Sequence, residues 1–133
     1  MRRVLLIACA AIFIDVAFFA AVTPLIPGYR DDLGISETAA GMLAGSYAAG
    51  TLVFAIPGGI ISARIGPRLT MLAGLTGMGL SSLSFGLADT IGWLDVSRFL
   101  QGASGSMLWA GAISWVVISA PDDRRGVLLG TVI

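Results

Sequence analysis

Long stretches of the chain that are almost free of charge alternate with short polar segments. From Val4 to Ile26 the only charged residue is Asp15, and none occurs from Thr38 to Ala63, from Leu69 to Ala88 or from Gln101 to Ala120. A run of about 20 apolar residues is long enough to cross the hydrocarbon core of a bilayer. The pattern therefore predicts an all-α integral membrane protein with four transmembrane helices and the start of a fifth. The helices fall at about 4–27, 37–62, 67–88 and 93–120, and the fifth opens at 126–133. The first apolar run outlasts the core of a signal peptide and contains Asp15, so it reads as a span.

Local signals sharpen the boundaries. Ser36 is placed as an N-cap, with Glu37 in the first turn where a negative charge suits the helix dipole. The segment from Gly28 to Ile35 reads as a polar loop. Ala63 to Arg68 reads as a tight turn, in which Gly66 is free to take positive φ and Pro67 suits the first turn of the next helix. Trp93 is placed as an interfacial anchor. Small residues four apart predict close helix contacts. They are Gly41, Gly45 and Ala49 on span two, Ala73, Gly77 and Ser81 on span three, and Gly102, Ser106 and Ala110 on span four.

Composition agrees with the pattern. Charged residues make up 12% of the chain, about half the share of a soluble domain. Mean hydropathy is +0.92. With no Lys, no His and one Cys, the chain offers neither a nucleic-acid footprint nor a metal-ligand set. Cys9 reads as a small helix- or lipid-facing residue. No nucleophile–base pair or phosphate-cradling loop is present, so no enzyme and no cofactor is expected. The arginines are lopsided. Arg2, Arg3, Arg64, Arg68, Arg124 and Arg125 fall on one side, and only Arg30 falls on the other. The positive-inside rule then places the N-terminus in the cytoplasm of a multi-pass cell-membrane protein.

Two ionisable residues lie deep. Asp15 is about 18 Å from the outer end of span one, and Arg98 about 10 Å from the outer end of span four. Such groups are costly in lipid and by default face the bundle interior as functional sites. Burial favours the neutral form of a carboxyl group and a nearby cation favours the charged form, so a group held between them can carry a proton. An Asp15–Arg98 pair is one expectation; Arg98 snorkelling outward or pairing with Asp95 is the other. Gln101 lies one turn from Arg98, Gly105 thins the helix below it, and Trp109 could line a cavity with them. Trp115 reads as packing. Pro24 and Pro27 close span one and Pro57 sits near the inner end of span two, all candidate hinges.

Four motifs in order resemble the major facilitator superfamily, close to its drug:proton antiporter branch. Gly59 to Arg68 is similar to the family's loop between helices two and three. Arg98-Phe99-Leu100-Gln101-Gly102 is similar to its fourth-helix motif. The proline pair Pro24 and Pro27 is similar to the end of its first helix, and Arg125-Gly126 to the opening of its fifth. In the loop, Ala63 stands where the family pattern has Asp and Pro67 where it has a basic residue, while Gly59, Arg64, Gly66 and Arg68 match. The resemblance implies the first part of a twelve-helix fold, its remaining helices being partners of this chain. It also implies gating through the signature loop and proton-coupled efflux of a small, lipophilic organic substrate. In that reading the cavity holds Asp15, Arg98, Gln101, Gly105 and Trp109, and protonation of Asp15 weakens its pair with Arg98. Two alternatives are a complete four-helix multidrug exporter working as a dimer and a membrane fragment that regulates or assembles without transporting.

Overall fold

In the computed structural model, which describes all residues 1–133, the chain is entirely helical. Helix α1 spans Arg2–Val22, a 3-10 turn spans Thr23–Leu25, and α2 spans Ile26–Leu33. Then follow α3 (Glu37–Ile65), α4 (Pro67–Gly86), α5 (Ile91–Ser119) and α6 (Arg125–Val132). Four continuous segments are long and apolar enough to cross a membrane: Arg2–Leu33, Glu37–Ile65, Pro67–Gly86 and Ile91–Ser119.

The ends have local causes. The Ser36 hydroxyl accepts a hydrogen bond from the Ala39 N–H at 3.2 Å and starts α3. Gly66, at φ +91°, is the single residue between α3 and α4. Pro67 then opens α4, where its missing N–H costs nothing. Ala120 is extended before Pro121 and ends α5, because proline disfavours helical geometry in the residue it follows.

The segment expected as a loop after span one is different. Residues Gly28 to Leu33 are helical, and the stop comes at Gly34, at φ +62°. Pro27 lies in the first turn of α2, where a proline is tolerated, so it does not terminate the helix. Pro24 sits in the 3-10 turn that replaces one turn of α-helix. Helix α3 runs unbroken past Pro57.

Helix α5 is the centre of the bundle and packs against α3, α4, α1 and α6. The main core joins Ala8, Ala11 and Ile12 of α1, Met71 and Met78 of α4, and Leu108, Ala112 and Val116 of α5, with Val132 of α6. A smaller cluster of Val22, Leu43, Phe85 and Leu94 closes the other end. Large apolar side chains lie mostly outside: Leu52 is 77% exposed, Ile56 76% and Leu87 83%. Such a surface suits contact with lipid or with other apolar helices rather than with water.

Glycines set the helix spacing. A Cβ on Gly50 would run into the Phe99 carbonyl of α5, and one on Gly102 into the Tyr47 carbonyl of α3. The two backbones therefore touch reciprocally. The Ser106 hydroxyl donates to the Thr51 carbonyl at 2.7 Å across the same seam. Between α4 and α5, a Cβ on Gly111 would lie 2.7 Å from the Pro67 carbonyl oxygen, and one on Gly74 2.7 Å from that of Ser104. The stripe expected on span two is not the contact: Gly41 and Gly45 face open space and Ala49 is exposed. Helix α3 is apolar all round, so spacing alone does not say which small-residue face meets a neighbour. On span three the same holds for Ala73, which is exposed, whereas Gly77 meets Ser104 and Ser81 is buried.

Gly102→Ala should lower the unfolding free energy of the full chain in detergent micelles by about 1–3 kcal/mol, because backbone must move to admit the methyl group. Gly45→Ala should leave it unchanged or raise it by up to about 1 kcal/mol through helix propensity. Equal effects of the two changes would contradict the α3–α5 contact.

Candidate functional site

The backbone contact at Gly102 places Tyr47 of α3 directly beside the middle of α5. Its side chain then reaches α1. The Tyr47 hydroxyl donates to Oδ1 of Asp15 at 3.1 Å, and the Trp109 indole N–H of α5 donates to Oδ2 at 2.8 Å. Asp15 is 4% exposed. Gly105 makes the room: a Cβ there would lie 2.9 Å from Asp15 Oδ1 and 3.1 Å from the Tyr47 hydroxyl. Three helices thus meet on one carboxyl group, each of its oxygens holding a neutral donor.

Arg98 is 2% exposed and forms no ion pair. Its Nη1 donates to Gln101 Oε1 at 2.6 Å, and the Gln101 amide donates onward to the Ser82 hydroxyl of α4 at 3.0 Å. The guanidinium carbon lies 5.0 Å from the centre of the Tyr47 ring and 5.7 Å from that of Phe19. These two rings are themselves 4.9 Å apart. A guanidinium over aromatic faces gains cation–π attraction, which grows on leaving water. Its Nε–H is buried without a partner.

The expected Asp15–Arg98 pair is therefore not formed, and neither alternative for Arg98 holds. Arg98 does not snorkel outward, and Asp95 accepts instead from the Ser46 hydroxyl at 3.2 Å. The reason is vertical offset. Gly105, opposite Asp15, lies seven residues below Arg98, about 10 Å along α5. Gln101, one turn down, captures the guanidinium first, and Tyr47 fills the gap. The acid and the base touch the same ring without touching each other.

The five residues expected around a cavity are placed unequally. Asp15, Arg98, Gln101 and Gly105 are buried by neighbouring side chains and backbone. Trp109 is half-buried and lines a cavity of about 340 Å³ with Thr51, Ala55, Ser106, Ala110 and Ile113. Elsewhere, Arg64 lies in the last turn of α3, Gly59 meets open space, and Arg68 lies 4.8 Å over the ring of Trp115. Sequence reasoning missed Tyr47, Phe19 and Ser82. Tyr47 carried a signal, as the only tyrosine inside the charge-free stretch of span two. Phe19 and Ser82 are indistinguishable by type from their lipid-facing neighbours.

Comparison with known proteins bears on the family of the chain. A sequence profile of the Major Facilitator Superfamily matches residues 8–133. The MFS-type transporter ppzB of Metarhizium majus (strain ARSEF 297) is 26% identical over 127 residues, covering 91% of this chain and 28% of that protein. The quinolone resistance protein NorA of Staphylococcus aureus is 24% identical over 119 residues, covering 90% of this chain and 31% of that protein. The chain spans under a third of the length of these curated relatives.

The two donors to Asp15 should contribute separately to stability. Trp109→Phe, which removes a hydrogen bond to a carboxyl group with little change in shape, should cost about 1–3 kcal/mol in unfolding measurements on the full chain. Tyr47→Phe should cost a similar amount, and neither substitution should matter in an Asp15→Leu background. Undiminished effects in that background would disprove the shared site.

Proposed function

The chain belongs to the Major Facilitator Superfamily, and from that membership we propose that it forms the first helices of a proton-coupled efflux transporter for small organic molecules, with Asp15 as the proton site. The observation that carries the reading is the buried Asp15 carboxyl group, which bonds two neutral donors from two other helices and no cation. A carboxylate accepts both bonds through free lone pairs. A proton on Oδ2 would face the Trp109 N–H, which cannot accept, and a proton on Oδ1 could be donated to the Tyr47 oxygen only if the Tyr47 O–H turned away, so one of the two links must weaken or turn. The cost of that mismatch is higher in a site without water.

Protonation thus acts on how α1 is held against α3 and α5. The Tyr47 ring is also part of the seat of Arg98, so a change at the Tyr47 hydroxyl reaches the guanidinium without direct acid–base contact. Removing the negative charge leaves Arg98 as the one charge of the cluster, which favours any arrangement that brings it water or an anion. A proton-linked change in helix arrangement is what an alternating-access carrier needs. The drug:proton antiporter reading draws on NorA, whose name states quinolone resistance.

The same reading takes the arginine-rich face as cytoplasmic, with Arg2 and Arg3, the α3–α4 turn and the α5–α6 loop on it. The signature-loop residues Gly59, Arg64, Gly66 and Arg68 serve gating there. The 3-10 turn at Pro24, with Pro27 and Pro57, supplies places where helices bend.

In inverted membrane vesicles carrying the whole transporter, Asp15→Asn should abolish proton-driven efflux while substrate still binds, because Asn keeps the shape and cannot release a proton. Retained proton-driven efflux would remove Asp15 from the proton path. For orientation, in a Cys9→Ser background, Asp32→Cys should react with an impermeant thiol reagent added to intact cells and Ala63→Cys should not. The reverse pattern would invert the topology.

A further inference from the structure

At the arginine-rich end, a cavity of about 470 Å³ opens between the start of α4 and the end of α5. Its walls include Ile65, Leu69 and Ile118, which are 49%, 58% and 71% exposed. The polar element is Arg68, whose guanidinium covers the face of Trp115 at 4.8 Å. Arg68 forms no ion pair and no side-chain hydrogen bond within residues 1–133, so its N–H donors are unused by this part of the bundle. No carboxylate lines the cavity. The nearby Asp122 is engaged by Arg125 at 2.7 Å, and Ala63 beside the turn carries no charge. Arg64, in the last turn of α3, adds a second unpaired cation at the same end.

We propose that this cavity is a binding site for an anionic phospholipid, with the lipid phosphate on Arg68 and an acyl chain along Leu69 and Ile118. Three features select that occupant. The apolar walls are exposed in this chain, and they carry a cation at the level where a tryptophan and the helix ends mark the membrane interface. A planar guanidinium offers paired donors to phosphate oxygens. The excess positive charge, with no acid in the lining, leaves nothing to receive the ammonium of a zwitterionic headgroup. The aromatic face that could hold a choline is already covered by Arg68. Basic pockets between membrane helices are a known means of headgroup recognition. This inference does not depend on proton coupling, on substrate or on which side is cytoplasmic.

The test uses the full chain in phosphatidylcholine vesicles containing a minor fraction of lipid brominated near the headgroup end of its chains. The fluorescence owed to Trp115 is read as the difference between the native chain and Trp115→Phe. Brominated phosphatidylglycerol should quench it about fivefold more effectively than brominated phosphatidylcholine at equal mole fraction, the scale of one basic side chain at an anionic surface. Arg68→Gln should remove the preference and leave quenching by phosphatidylcholine in place. Arg68→Lys should keep the preference, which also shows that the site survives substitution. Equal quenching by the two lipids in the native chain would overturn the proposal, as would a preference that persists in Arg68→Gln.

Discussion

Helices α3 and α5 touch backbone to backbone where Gly50 meets Phe99 and Gly102 meets Tyr47, and the polar cluster in the middle of the bundle depends on that contact. Hydrocarbon gives helices no hydrophobic reason to associate, so close approach and interhelical hydrogen bonds must supply it. Two glycines remove the side chains that would hold the backbones apart. Thr51 and Ser106 then bond across the seam, the Thr51 hydroxyl to the Gly102 carbonyl and the Ser106 hydroxyl to that of Thr51. With α3 drawn in this far, the Tyr47 hydroxyl reaches the level of Gly105. There the absence of a side chain leaves space for Asp15. Moving α3 outward by the width of a methyl group would pull the hydroxyl off the carboxyl group before any apolar core residue lost its neighbours.

The cluster handles its two opposite charges in an unusual way. A direct Asp15–Arg98 pair would gain Coulomb energy in a low-dielectric site, but it would also tie the acid to a fixed cation and favour its charged form. Here the acid has hydrogen bonds from Tyr47 and Trp109, while the base has one from itself to Gln101 and two aromatic faces. Asp15 is held by neutral groups whose geometry depends on whether it is charged. Arg98 is only partly satisfied, its Nε–H having no partner. A buried charge with spare donors is costly. That cost favours other arrangements of the same residues, which the proposed proton response would draw on.

Much of this was legible in the sequence, and the limits have a single geometric root. Charge-free runs mark the spans because lipid excludes charge along the whole length of a helix. Ser36 and Gly66 mark ends because capping and positive φ are local matters. Depth along a helix was readable for Asp15 and Arg98. Azimuth was not, since a helix apolar on every side hides which face meets protein. The stripe of Gly41, Gly45 and Ala49 failed for that reason, whereas the direct pair failed on depth, because Asp15 meets α5 at Gly105, about 10 Å from Arg98. The loop after span one failed differently: Pro27 was read as ending a helix when it stands in the first turn of the next. Tyr47 was visible as an oddity in an apolar span, yet its partner on α1 could be seen only once the helices were placed.

The distribution of glycine suggests why the carboxyl group sits on α1. Every buried glycine that brings two backbones together lies on α3, α4 or α5, and residues 2–22 contain none. Helices α3, α4 and α5 are therefore joined mainly by backbone contacts that do not change with charge, the Ser46–Asp95 bond being an addition to them. Helix α1 is joined to them by Ala8, Ala11 and Ile12 in the core and by the bonds to Asp15. Apolar side-chain contacts slide at small cost in a medium as apolar as they are, whereas hydrogen bonds to a carboxyl group are directional. Asp15 thus sits on the helix whose attachment is least determined by backbone fit, and its two hydrogen bonds are the directional part of that attachment. A carboxyl group between Gly102 and Gly111 on α5 would be flanked by backbone contacts to α3 and α4, with far less structure free to move around it.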